Sequence, residues 1–354
     1  MHTHSEFMYS ICAVSCYYKL ESCVFPALFI IIFTGREELQ YTYTETSSRM
    51  SCYTLNASRT IENQGQNGTD RDEYIATILN YVSFPFVILG LLGNGAIFQI
   101  LCCRIKKTKY TVYVLNLAIA DFTVLFCYIT FSVLSLIIWR RFAFEEFLYV
   151  VLDLLWFFGY NSSFFLLTAI SVERCLGIFC PLWYRFNRPE HLSAILCTLL
   201  WVVSCLVTVV EYFTCWSVFY FSNECCYRKY SAASIFLVTI SLIFTPIMIL
   251  CSLIVFIKVQ RSSQPSSSAR FYITIVVTVL IFLIFALPGR FACLIGYWHP
   301  ELKLIWNVIQ VSFFFNMINS TLNPFVYFFV GRQKRLRFQE PLSLVFQRSW
   351  KDMA

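Results

Sequence analysis

Phe147 to Pro181 reads FLYVVLDLLWFFGYNSSFFLLTAISVERCLGIFCP. A helix rises about 1.5 Å per residue, so roughly 20 apolar residues cross the hydrocarbon of a bilayer, and this run exceeds that length. It reads as a membrane span. Near its end stand Glu173 and Arg174, side by side. Ionisable groups at the end of an apolar helix either snorkel into lipid headgroups or face a bundle interior or water-filled cavity, where they mark working sites. The rest of the chain has to decide between the two.

The 354 residues are 58% hydrophobic, 19% aromatic and only 13% charged, with a mean hydropathy of +0.65. A soluble domain of that length needs more polar surface, so the composition implies an integral membrane protein and excludes most enzyme classes. The formal charge of +7 does not point to nucleic acid. Its basic residues form short clusters between apolar runs, where the excess of Lys and Arg on the cytoplasmic side of membrane proteins accounts for them. Of sixteen cysteines, most lie within apolar runs (Cys127, Cys197, Cys205, Cys251, Cys293) and act as small hydrophobes. His2, His4, His191 and His299 show no metal-ligand spacing, so no metal site is expected among them.

From residue 75 apolar segments succeed one another at about 75–103, 112–139, 147–179, 192–214, 231–257, 271–297 and 304–330. Each is long enough to cross with some tilt. The predicted fold is therefore an all-α membrane protein, a seven-transmembrane helix bundle. One side of the connections holds Arg104, Lys106, Lys107, Lys109, Arg185, Arg188, Lys258, Arg261 and Arg270, followed by Arg332, Lys334, Arg335 and Arg337; the other holds Arg140, Arg141, Arg228, Lys229 and Lys303. The richer side is expected to be cytoplasmic, which puts Glu173 and Arg174 at the inner end of the third helix. Asn56-Ala-Ser58 and Asn67-Gly-Thr69 are glycan acceptor sequons in a polar tail, 1–74, and agree with an extracellular amino terminus. Asn161-Ser-Ser163 and Asn319-Ser-Thr321 fit the same pattern inside spans and should stay bare. Residues 1–49 read as either a signal segment or an upstream extension, with Met50 as an alternative start. Residues 331–354 form a short tail in which 332–347 read as an amphipathic helix on the inner leaflet.

Polar residues and prolines interrupt the spans: Asn94 in the first, Asp121 in the second, Trp201 in the fourth, and Pro246, Pro288 and Pro324 in the last three. A carboxylate in hydrocarbon must find partners, protonate or bind a cation, and Ser163, Asn319 and Asn323 could supply oxygens to Asp121, with Na+ as a candidate occupant. The bland reading is polar glue between helices. Each proline removes a backbone hydrogen bond and offers a hinge.

Asn94, Asp121, Glu173-Arg174-Cys175, Trp201, Pro246, Pro288 and Asn323-Pro324-Phe-Val-Tyr327 together resemble, helix by helix, the signature of rhodopsin-like G-protein-coupled receptors over roughly residues 75–346. Within that class Ala169-Ile-Ser-Val-Glu-Arg-Cys-Leu176, Pro181-Leu-Trp-Tyr-Arg185, Arg188-Pro189 and Tyr327-Phe-Phe-Val-Gly331 look like the Mas-related receptors. The resemblance implies a plasma-membrane receptor, not an enzyme, whose partners are an extracellular ligand and a heterotrimeric G protein. It implies a resting pair of Glu173 with Arg174, a sixth helix that swings about Pro288, and repacking of Phe164, Pro246 and Phe282. Arg174 and Tyr327 would then line a cavity for the G protein. It also implies a bridge from Cys215 to Cys225 or Cys226. Departures from the wider class are Tyr149 where a disulfide cysteine is common, Ala286 in place of the Trp before the sixth-helix proline, Ile254 for an inward Tyr, and Trp156 where amine receptors carry Asp.

For the ligand, Glu211 lies one turn before Cys215 on the same helix face, and the matching acid in some Mas-related receptors contacts cations. A basic peptide or cationic small molecule is the expectation, with Asp153 as a second acid. Alternatively Glu211 pairs with Arg290 or Lys229. The rival class is a transporter or channel with a buried Asp121 ion site, which predicts inverted repeats and a charged path.

Overall fold

A computed structural model of the chain describes residues 66–103, 108–137, 143–212, 231–261, 267–298 and 305–331. Seven long helices run in the order that hydropathy predicts: α1 Gln66–Cys103, α2 Thr111–Ile137, α3 Ala143–Phe179, α4 Leu192–Glu211, α5 Ser231–Arg261, α6 and α7 Ile305–Gly331. Helix α6 comprises Ser267–Ile281, a wide π turn Phe282–Ala286, and Leu287–Trp298. No strand occurs among the described residues. The chain divides into two compact units at Tyr81. In the first, α1 already begins at Gln66, upstream of the predicted residue 75, and Asn67 lies in its opening turn. The second begins at Val82 and contains the remainder of α1 together with α2 to α7.

Six of the helices hold a stretch long and apolar enough to cross a bilayer, among the residues so described. Their outer faces carry side chains that water would not solvate well: Leu92, Leu206, Leu250 and Ile284 are each more than half exposed. Lipid is the solvent that suits such a surface. In lipid, apolar surface supplies little drive for helices to associate, so close packing and polar contacts between helices hold the bundle.

Helix α3 is the hub. It packs against α2, α4, α5 and α6, and 72% of its membrane-length stretch is buried, against 28–44% for the other five. Close approach to α2 depends on Gly159, because a Cβ there would stand 2.9 Å from the Ala120 carbonyl oxygen and 2.8 Å from Val124. Trp201 of α4 donates its indole N–H to Asn116 of α2 at 2.7 Å, tying the fourth helix to the second. The start of α2 is closed by a reciprocal pair in which the Thr108 amide donates to the Thr111 hydroxyl at 2.8 Å and the Thr111 amide to that of Thr108 at 3.3 Å.

Prolines act differently along the bundle. Pro288 cannot donate to the carbonyl of Ile284 and its ring crowds that carbonyl. The π turn Phe282–Ala286 lies directly upstream and widens the helix there. Pro246 and Pro288 lie on exposed faces, whereas Pro324 is buried.

Candidate functional site

At the end of the bundle that carries Arg174, the chain leaves α3, makes a π turn over Trp183–Asn187 and stops at Arg188, whose backbone is extended. Pro189 comes next, and a residue before proline is driven out of the helical region. The Arg188 side chain reaches Glu173: its Nη2 donates to Glu173 Oε1 at 2.8 Å and to the Ser193 hydroxyl at 2.6 Å. Ser193 in turn donates to the Lys109 carbonyl at 2.5 Å, and the Tyr113 hydroxyl donates to the same Glu173 oxygen at 3.0 Å. Burial opposes the charge of Arg188, but the hydrogen bond and charge of Glu173 outweigh it and hold its pKa above the ordinary guanidinium value. Arg174 points elsewhere, with its guanidinium carbon 3.6 Å from the centre of the Tyr110 ring. Burial raises the Tyr110 pKa well above the ordinary phenol range despite the opposing charge of Arg174, so the ring stays neutral beneath the cation.

The resting pair of Glu173 with Arg174 is thus replaced by contacts from Glu173 to Arg188 and Tyr113. Adjacent residues on a helix diverge by about 100° and do not face each other. Arg188 and Tyr110 were not legible as partners, because their placement needs the turn that brings residues far apart in sequence to one helix end. Tyr327 is buried in the last turns of α7.

Midway along the bundle Asp121 is wholly buried. Ser163 and Ser320 each donate to its Oδ1 at 3.0 Å, and Asn323 donates to its Oδ2 at 2.7 Å. The expected oxygen from Asn319 is not there. Asn319 is buried, neither of its side-chain polar atoms has a hydrogen-bond partner, and Ser320, one helical step on, takes the place beside Asp121. Asn94 donates to the carbonyls of Gly90 and Ser320, both at 3.0 Å. An anionic carboxylate and two hydroxyl oxygens form a hard-oxygen donor set that suits Na+, and the unpartnered Asn323 Oδ1 adds a further oxygen nearby.

Phe164 and Phe282 stack with centres 5.6 Å apart. Pro246, expected to repack together with them, lies on the outer face of α5. The aromatic neighbour from that helix is Phe244, 6.2 Å from Phe164. Ser241, Thr245, Met248 and Ser252 share the inward face of α5, and Pro246 is one step out of that register.

Toward the Glu211 end a small cavity of about 20 Å³ is lined by α3, α4, α6 and α7. Its walls include Trp156, Tyr160, Glu211, Arg290, Phe313 and Asn316. Glu211 and Arg290 are buried, with Arg290 Nη2 3.8 Å from Glu211 Oε2. Asn161 joins them: its Nδ2 donates to Glu211 Oε2 at 2.9 Å, and its Oδ1 accepts from Arg290 Nη2. The guanidinium lies 5.1 Å from the ring centres of both Tyr160 and Phe164. Asn161, expected only as a bare sequon, is the bridge; the signal that could have found it is an amide inside an apolar span. Asp153 is half-buried on α3 and is not among the cavity's lining residues. Tyr149 stacks on Phe131 at 5.9 Å. Among the described residues no group of three or more His, Cys, Asp or Glu could hold a metal ion. Asn56, Cys215, Cys225, Cys226, Lys229 and the amphipathic segment 332–347 lie outside the described residues.

Residues 93–327 match the family described as 7 transmembrane receptor (rhodopsin family). The chain is similar to the Mas proto-oncogene protein of Rattus norvegicus, 39% identical over 82% of this chain and 91% of that protein. It is 40% identical to Mas of Homo sapiens over 78% of this chain and 84% of that protein. Similarity to Mas-related G-protein coupled receptor member X1 of Homo sapiens is 35% over 81% and 88%.

Proposed function

Because the chain belongs to the rhodopsin family of seven-transmembrane receptors, in its Mas-related group, we propose that the cavity beside Glu211 takes an extracellular ligand and that the Arg174 end activates a heterotrimeric G protein. As a multi-pass plasma-membrane receptor of this class, not an enzyme, it works through a ligand that binds one of two bundle conformations better than the other. The amino terminus is outside and the Arg174 end faces the cytoplasm, a direction supported by the bias of Lys and Arg in the connections.

The observation that carries this reading is a column of buried groups running the length of α3, from Arg290 and Asn161 through the stacked Phe164 and Phe282 to Asp121 and on to Glu173. Ligand at the cavity repacks the aromatic pair, the π turn just before Pro288 lets the inner half of α6 swing, and Arg174 leaves Tyr110 to meet the G protein beside Tyr327. Asp121, with Ser163 and Ser320, would hold a Na+ ion, whose charge would offset the buried carboxylate where these groups are gathered. A bridge from Cys215 to Cys225 or Cys226 braces the outer end, and glycans sit on Asn56 and Asn67 of the extracellular tail.

A basic peptide or cationic small molecule is the ligand that Glu211 suggests. Its cation binds by exchange with Arg290, since the carboxylate is already engaged. Glu211→Gln should then weaken cationic ligands selectively. The receptor reading is tested with purified receptor in lipid nanodiscs: it accelerates nucleotide exchange on a G protein, and Arg174→Ala abolishes that acceleration. Unchanged exchange in that variant sinks the proposal. A transporter or channel reading gains nothing from the structure, where Asp121 is closed in by Ser163, Ser320 and Asn323.

A further inference from the structure

Arg290 of α6 is engaged by three other helices at once. Its Nη2 stands 3.8 Å from Glu211 Oε2 of α4 and donates to Asn161 Oδ1 of α3, and its Nη1 donates to the Ser241 hydroxyl of α5 at 3.4 Å. The side chains of Arg290 and Glu211 are only 2% and 6% exposed. Charges so far from water have to be met inside the protein, and these two meet each other.

The same guanidinium reaches the aromatic core. It lies over the rings of both Tyr160 and Phe164, and each of those rings stacks on Phe282, at 6.3 and 5.6 Å. Phe282 is the first residue of the π turn in α6, and Tyr160 donates its hydroxyl to the carbonyl of Ala286, the last. Arg290 stands beyond Pro288 on that helix. One side chain therefore joins the acid of α4 to the wide turn of its own helix, by way of two rings of α3.

The cavity beside this group has room for roughly one water. Glu211 carries a single negative charge, and two cations crowded against it would repel each other. A ligand's cation reaches that carboxylate only when Arg290 gives way.

We propose that Arg290 is an autoinhibitory cation: in the resting receptor it fills the place at Glu211 that the ligand's cation takes, and its withdrawal from Tyr160 and Phe164 is the event that frees Phe282 and the π turn. The proposal rests on the reading of Glu211 as the contact for a cationic ligand, and it names what that ligand displaces. Because both cations compete for one carboxylate, the ligand's apparent affinity is lowered by the fraction of receptor in which Arg290 has yielded.

The test uses full-length receptor in nanodiscs with two separate readouts. The first is equilibrium binding of phenethylguanidinium and of phenethylurea, which has nearly the same shape without the charge. Arg290→Gln removes the internal competitor and should bind the cation roughly tenfold or more tighter than the parent does, with the urea unmoved. Arg290→Lys keeps a charge but not the planar fork, and should tighten the cation by about threefold. The second readout is nucleotide exchange without any probe, which should rise about fivefold or more in Arg290→Gln. Should that variant fail to fold, Glu211→Gln/Arg290→Gln removes both buried charges together, a change such pairs tolerate. It should show the same rise in exchange and no preference for the cation over the urea. A merely structural ion pair predicts the opposite, with cation binding unchanged or weaker in both Arg290→Gln and Arg290→Lys, or exchange no higher than the parent's in the folded variants. Either result overturns the proposal. Failure of the parent itself to accelerate exchange counts against the receptor reading alone, since competition at Glu211 is read from binding without a G protein.

Discussion

Arg188 Nη2 lies 2.8 Å from Glu173 Oε1, with the Arg188 side chain fully shielded and that of Glu173 6% exposed. Breaking a buried pair from one side leaves a charge without compensation and costs more than removing both. Glu173→Gln and Arg188→Gln should each destabilise the receptor in denaturant unfolding. The double variant should lose less than the sum of the two, with a coupling of about 0.5–3 kcal/mol. Strict additivity would show that the two charges do not depend on each other.

Tyr110 carries the guanidinium of Arg174 on its ring face. A cation over a shielded aromatic ring gains about 1–2 kcal/mol, so Tyr110→Leu should release Arg174 and raise ligand-independent nucleotide exchange about fivefold or more. Tyr110→Phe, which retains the ring, should stay near the parent value. An equal rise in both would locate the restraint in the hydroxyl instead.

Asp121 accepts three hydrogen bonds and offers no hydrogen of its own as a carboxylate. In Asp121→Asn the new amide nitrogen can be met by a rotated serine hydroxyl or by Asn323 Oδ1, so the change in stability should stay below about 1 kcal/mol while the negative charge is lost. The variant should also lose any sodium dependence of basal nucleotide exchange. Sodium dependence that persists in Asp121→Asn would remove Na+ from this site.

Gly159→Ala should destabilise by about 1–3 kcal/mol, because the new methyl meets the Ala120 carbonyl of the neighbouring helix, a backbone atom that cannot step aside. At Gly95 a Cβ meets nothing within 4 Å, and Gly95→Ala should stabilise by about 0.5–1 kcal/mol through helix propensity. Thermal unfolding of the two side by side checks the contrast.

The spans, their order, and the motifs that mark each helix were legible in the chain because hydropathy and helix length are local quantities, summed over about 20 neighbours. Family membership was legible for the same reason: Asn94, Asp121, Glu173-Arg174 and Asn323-Pro324 keep their spacing along the sequence whatever they touch. Which partner each side chain meets was decided by tertiary structure alone. One helical step is a turn of about 100°, and that step separates Glu173 facing Arg188 from Arg174 on Tyr110, Ser320 beside Asp121 from an unpartnered Asn319, and inward Thr245 from outward Pro246. Asn161, Arg290 and Glu211 meet across three helices, a convergence set by how those helices rotate against α3 and not by any spacing within them.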